Sequence, residues 1–439
     1  MKSLRITNLA SVTFALALAS LLPHTARAGG QGYNQTELRD TSKESFSTSS
    51  GSDLGLGKFS SSPFHVSVSV RGGYDDNFRL SSTDPQGSFF TNVGLGLTYD
   101  FGGPRTRMSL AVNAGFSYYF DNNNDGAFSS GDNLDNYDVN ASVAFSITHK
   151  ATPRLTLAAS VLASYQSVPN FETFNNSTIS ISRQSRDFFF SSNRFSVGYA
   201  WTPRFSTVTS YTLGIVNYRD SVISGFEDRY EHTIGNEFRF LVLPTTTAVA
   251  EYRFGLVDYT ESDSRSSTSH FLLAGVDHSF SPRFNLSVRA GVEFRNLQDD
   301  NIFNGEDNRT APYVEGTLNY ALGQNTSISL NNRYSLEQPN VPVLRTRQTF
   351  RTGLGVRHNF TSRISAGLNF AYEHDDNHGV PGLPGFTEDA FDLSIGVRYA
   401  VNRNWAIDAG YQHTEVVSEE SLFRDFSRNR YYAGVTFTF

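Results

Sequence analysis

The chain contains no cysteine, which excludes disulfides, thiolate metal centres and thiol catalysis. Beyond residue 28 it has no uninterrupted run of 18 apolar residues, so no helix of that part can span a bilayer. Charged residues make up only 18% of the chain, and the net charge of −7 leaves no basic excess to attract nucleic acid. Gly-x-Ser-x-Gly, His-Glu-x-x-His, a phosphate loop and a dinucleotide fingerprint are all missing. The sequence therefore predicts a protein that is not an enzyme, although a serine and histidine drawn from distant positions would leave no such signature.

The chain is 439 residues long, is 38% hydrophobic and has a mean hydropathy of −0.35, yet 14% of it is aromatic, with 37 Phe and 21 Tyr. That enrichment favours strands over helices. Residues 1–28 read as a secretory signal peptide: Lys2 and Arg5 supply the positive start, Leu9 to Leu22 the apolar stretch, and Ala26-Arg27-Ala28 the cleavage site. An uncleaved anchor is the alternative, but the apolar stretch is shorter than the roughly 20 residues a spanning helix needs. The segment carries three basic residues, Lys2, Arg5 and Arg27, and no acid, so its removal takes the net charge from −7 to −10. Residues 29–62 are polar, rich in Ser and Gly and free of apolar period, which predicts a flexible segment.

From residue 63 to 439 the pattern is strict alternation in segments of 11 to 14 residues, as in Phe64, Val66, Val68, Val70 against His65, Ser67, Ser69, Arg71. About 18 such segments can be counted, with 16 as the alternative. Their connections alternate in kind. Short ones repeat a phrase, "THKATPRLTL", "YAWTPRFSTV", "HSFSPRFNLS", "HNFTSRISAG", "YAVNRNWAID", in which Pro153, Pro203 and Pro282 preset φ for a turn. The others are long and polar, such as "DNNNDGAFSSGDNLDN".

One face of each segment is apolar and the segments are about twice the usual strand length, enough to cross a bilayer at a tilt. Aromatics gather beside the short turns (Tyr99, Trp201, Phe280, Phe360, Trp405) and near the long loops (Tyr74, Phe120, Tyr165, Tyr218, Phe294, Tyr372), as the two interfaces of a membrane select. The expected fold is all-β: a transmembrane antiparallel up-and-down barrel with short periplasmic turns and long extracellular loops. Tyr431, Val435, Phe437 and Phe439 share the apolar face of the last strand, and this ending resembles the assembly signal of bacterial outer-membrane barrels.

The stretch "RGGYDDNFRLSS", Arg71 to Ser82, together with the hairpin periodicity from Phe64 to Phe439, resembles a family of outer-membrane β-barrel porins, the second to bear that name. The resemblance implies a barrel in the bacterial outer membrane and a substrate left undefined, with some members placed in exopolysaccharide production. It carries over no catalytic residue.

Alternation assigns a set of charged residues to the interior. Arg345, Arg347, Arg351 and Arg357 share one face, and four arginines there exceed the acids in sight, which predicts attraction of anions. Arg289, Glu293, Arg253 and Glu251 are further selectivity candidates, with hydration of a water-filled wall as the simpler role. The loop from Asp121 to Asp132 matches the start of a calcium site through Asp121, Asn123, Asp125 and Asp132 but lacks flanking helices, so a solvated loop is the plainer reading; no other cofactor is expected. The expected function is passive diffusion of small hydrophilic solutes, the alternatives being an export conduit for exopolysaccharide or a plugged structural or adhesive barrel. Expected partners are outer-membrane lipid and lipopolysaccharide, the barrel-assembly machinery and the solutes themselves, with homo-oligomerisation left open.

Overall fold

The computed structural model describes residues 64–120, 136–166, 187–261, 265–297, 308–339, 344, 346–379, 384–419 and 425–439. Alternation over these residues produces 18 strands of 12 to 15 residues. They are β1 (Phe64–Asp75), β2 (Ser88–Gly102), β3 (Thr106–Tyr119), β4 (Tyr137–Lys150), β5 (Leu155–Gln166), β6 (Phe188–Ala200), β7 (Phe205–Tyr218), β8 (Arg229–Leu243) and β9 (Thr246–Tyr259). The second half comprises β10 (Ser267–Ser281), β11 (Phe284–Leu297), β12 (Asn308–Leu322), β13 (Thr326–Glu337), β14 (Arg347–Asn359), β15 (Ile364–Asn377), β16 (Phe386–Ala400), β17 (Trp405–Ser418) and β18 (Phe426–Thr438). A short helix, α1 (Ser221–Glu227), lies between β7 and β8.

Each strand pairs antiparallel with its sequence neighbours, and β18 pairs with β1, closing an 18-stranded up-and-down barrel. The seam runs from Ser67 opposite Thr438 to Asp75 opposite Arg430, and the Phe439 amide donates to the Val66 carbonyl at 2.8 Å. Closure removes the unpaired edge that hydrocarbon would not tolerate. Phe439 also packs on Phe437 at 4.7 Å between ring centroids, and Phe437 on Trp405 at 4.8 Å. Deleting Phe439 is expected to lower the heat-modifiable, membrane-inserted fraction severalfold without changing synthesis, as read by gel shift of membrane fractions. An unchanged inserted fraction would remove this residue from closure.

The recurrent turn phrases share one physical cause. Thr152 Oγ1 accepts the amides of Arg154 (3.2 Å) and Leu155 (3.0 Å), Thr202 those of Arg204 (3.3 Å) and Phe205 (3.0 Å), and Thr361 those of Arg363 (3.1 Å) and Ile364 (3.0 Å). Asn402 Oδ1 does the same for Asn404 and Trp405, both at 2.9 Å. These side-chain turns satisfy donors that the ladder would leave free. The carbonyls of Arg154, Arg204, Arg283 and Arg363 then accept the amides of Ala200, Leu241, Ala321 and Ala400, which stitches each turn to the next hairpin.

The two faces are inverted relative to a protein folded in water. Leu95, Ile234, Leu272 and Val435 are exposed on the outside, whereas Arg71, Glu237, Arg289, Glu293 and Arg347 are buried on the inside. Trp201, Phe280, Phe360, Tyr399 and Trp405 stand exposed at the short-turn end, and Tyr74, Phe120 and Phe294 at the other. Tyr218 is a correction to the expected belt. In β7 the even-numbered residues point inward, so Tyr218 is buried with Leu162, Phe188, Phe190 and Val216, and Ile223 of α1 packs on this cluster.

Candidate functional site: the lumen wall

The interior site is built by register. Arg347 lies opposite Glu337 on β13 and Asn377 on β15, and Arg351 lies opposite Arg333 and Glu373. The Arg347 guanidinium binds Asp375, has Glu373 and Glu337 each at 3.4 Å, and donates from Nε to the Gln338 carbonyl at 2.8 Å. Arg351 bridges Glu373 at 2.5 Å and Glu337 at 2.6 Å, and Arg333 joins Glu337 at 3.1 Å. The expectation that arginines on this face outnumber the acids is therefore corrected: Arg333, Arg347 and Arg351 share Glu337, Glu373 and Asp375. Arg347 is 0% exposed and Arg351 3%, so neither presents a free charge to a permeating ion. Arg345 lies outside the described residues, as do Asp121, Asn123, Asp125 and Asp132. Arg357, nearer the short turns, is half-buried opposite Ser327 and Gly367.

A second cluster joins strands that are not neighbours. Arg289 hydrogen-bonds Asp277 at 2.8 and 3.1 Å and lies 3.8 Å from Glu237 and 3.9 Å from Glu251. Arg239 takes Glu237 at 2.9 Å and Asp277 at 2.6 Å. Arg253 binds Glu251 at 2.5 Å and reaches from β9 to Glu315 on β12 at 2.8 Å. Glu293 holds Arg295 at 2.8 Å and accepts from Ser269 Oγ at 2.8 Å. Gly275 makes room for part of this: a Cβ there would collide with the Val288 carbonyl oxygen and with Cδ of Arg289.

The third cluster, missed from sequence, lies at the seam. Arg71 donates to Asp408 at 2.5 Å, and Arg428 Nε donates to both Asp75 oxygens at 3.0 and 2.9 Å. Asp76 accepts the Asn429 amide at 2.6 Å and its side-chain nitrogen at 2.7 Å, while Asn77 Nδ2 donates to the Ser427 carbonyl at 3.0 Å. The Tyr74-Asp75-Asp76-Asn77 stretch is thus the clasp that ties β1 to β18. Its counterpart, Glu373 to Asn377, works alike: the first Asp of each pair, Asp75 or Asp375, points inward onto a buried arginine of an adjacent strand. That shared parity was the available signal for Arg428.

The clusters occupy β8 to β15, β17, β18 and β1. The inner face of β2 to β7 is mostly neutral, with Asn92 Nδ2 donating to Ser117 Oγ at 3.0 Å and Ser109 paired with Ser146 at 2.7 Å. Arg194 is one charge on this side, with Glu237 at 4.0 Å. The inner wall therefore presents mostly hydroxyl and amide groups on one side and internally matched charges on the other. Between α1 and β8, Asp228 accepts the Tyr218 amide at 2.7 Å, and burial pushes its carboxyl above the ordinary range. Among the described residues no group of three or more His, Asp or Glu could hold a metal.

A closed antiparallel barrel, apolar and aromatic-girdled outside and polar inside, defines a β-barrel of the outer-membrane type. The family model described as "Putative beta-barrel porin 2" matches residues 56–439, and the chain belongs to that family. Among solved structures, the outer membrane protein OpdK from Pseudomonas aeruginosa is 12% identical over 86% of this chain and 99% of its own, with a TM-score of 0.40. OccAB3 from Acinetobacter baumannii is also 12% identical, over 86% of this chain and 99% of its own, at 0.42. The siderophore receptor PirA of the same species is 9% identical, over 86% of this chain and 81% of its own, at 0.41. No curated protein matches the chain.

Proposed function

We propose that this porin lets small hydrophilic solutes diffuse passively across the bacterial outer membrane, with its short turns in the periplasm. The observation that carries this reading is the combination of a closed 18-stranded wall and a polar inner face. Barrels of about this size enclose an aqueous lumen in general. Because the interior arginines and acids neutralise one another, the wall supports weak ionic selectivity rather than the anion preference that unpaired arginines would impose. Purified protein in a planar bilayer is expected to give steady ohmic steps. A silent bilayer from a folded, heat-modifiable barrel would overturn free diffusion.

A second reading, an export conduit or a plugged barrel, is favoured by one feature of the long-connection end. Arg265 binds Glu227 at 3.1 Å and donates to the Pro339 carbonyl at 2.9 Å, and the Tyr259 hydroxyl meets Gln338 at 3.3 Å, so three connections are drawn together. Silence in the bilayer, relieved by an Arg265→Ala substitution, is the outcome that reading expects. Orientation has its own test. An Asp84→Cys protein should react with an impermeant thiol reagent on intact cells and a Thr202→Cys protein should not; the reverse pattern would invert the topology.

A further inference from the structure

Charge pairing in this molecule is lopsided. Inside the barrel Arg71, Arg253, Arg289, Arg347 and Arg428 each meet a carboxylate. At the short-turn end Arg105, Arg154, Arg204, Arg283, Arg363 and Arg403 are exposed, and among the described residues their side chains have no ion pair or hydrogen bond. They stand in six of the eight short turns, one apiece, and none of the eight turns contains an acid. Five of them, Arg105 through the Lys150 amide together with Arg154, Arg204, Arg283 and Arg363, are fixed at the backbone by a stitch to the next hairpin, so their guanidinium groups project from set points around the rim.

What lies beside them selects the occupant. Trp201, Phe280, Phe360 and Trp405 are exposed on the lipid side within a few residues of these arginines, and such aromatics settle at the level of the headgroups. An arginine rooted there reaches phosphate oxygens with its planar fork of donors. Isolated charges spread around a circumference suit many small anionic ligands better than one macromolecule. We propose that the short-turn rim is a collar that binds the phosphates of anionic phospholipids in the surrounding leaflet. This rests on the membrane-spanning reading above.

The chain's 2 tryptophans, Trp201 and Trp405, both sit in this rim, so intrinsic fluorescence reports on its lipid alone. The full chain is folded into vesicles of phosphatidylcholine with a minor share of phosphatidylglycerol, and in matched samples an equal mole fraction of one lipid or the other carries brominated chains. Brominated phosphatidylglycerol is expected to quench roughly twofold more than brominated phosphatidylcholine, because a basic surface enriches anionic lipid. The excess should vanish when the six arginines become glutamine. In the unmodified protein it should also vanish at about 1 M salt, where the screening length falls to about 3 Å.

Equal quenching by both lipids in the unmodified protein would overturn the collar and point to a soluble polyanion instead. An excess surviving the six substitutions, or surviving high salt if that variant does not fold, would also overturn it. Absence of quenching by either lipid in a folded barrel would sink the membrane-spanning reading itself.

Discussion

Replacing Asp375 with alanine should destabilise the barrel by about 3–5 kcal/mol, the usual cost of removing one partner of a buried ion pair. Asp375 is 0% exposed, binds the Arg347 guanidinium and accepts from Thr349 Oγ1 at 2.7 Å. Without it, Arg347 stays enclosed with Glu337 and Glu373 at 3.4 Å, too far for a full charge-assisted hydrogen bond. The neighbouring Asp376 is exposed, and its replacement should cost no more than about 0.5 kcal/mol. Urea unfolding from lipid vesicles, followed by tryptophan emission, measures both. Adding Arg347→Met to the Asp375→Ala protein should restore most of the loss, since no charge is then enclosed alone and Arg351 still holds Glu337 and Glu373. An Asp375→Ala barrel no weaker than the Asp376→Ala one would mean that water reaches Arg347 and that it is a lumen charge after all.

The strands were legible in the sequence because alternation is a local property, and the turns because Thr-Pro-Arg phrases recur where alternation stops. Pairing was not legible. Arg71 and Asp408 are separated by 337 positions, and Arg428 and Asp75 by 353, and only the closure of β18 on β1 brings them together. Reading charges along a strand therefore counted Arg347 and Arg351 as surplus, when Glu337 and Glu373 stood on the strands to either side. Tyr218 was a different kind of miss. Phe205, which opens β7 beside a short turn on the outer, odd-numbered face, and Tyr218 belong to one unbroken strand and differ by an odd number of residues, so they cannot share a face. Proximity to a loop placed Tyr218 in the aromatic belt, whereas counting parity places it inside.

Leu95→Arg and Asn113→Arg should part company sharply. Leu95 is the eighth of the 15 residues of β2, is 56% exposed on the outer face and pairs with Val68 and Ala114. Asn113 is one rung away on β3, opposite Gly96, on the neutral inner wall. An arginine at Leu95 must enter the middle of the hydrocarbon, at a cost of about 2–4 kcal/mol. One at Asn113 keeps its water and should cost under about 1 kcal/mol, since lumen positions tune selectivity more than stability. Neither register neighbour of Asn113, Gly96 or Ser142, carries a charge, so the new guanidinium should act as the unpaired fixed charge that Arg347 and Arg351 are not. The reversal potential under a salt gradient should therefore move toward anions for Asn113→Arg, while Leu95→Arg leaves it in place and lowers the urea midpoint. Equal destabilisation by both would mean that the outer face does not meet lipid. An unmoved reversal potential with Asn113→Arg would mean that ions do not pass along this wall.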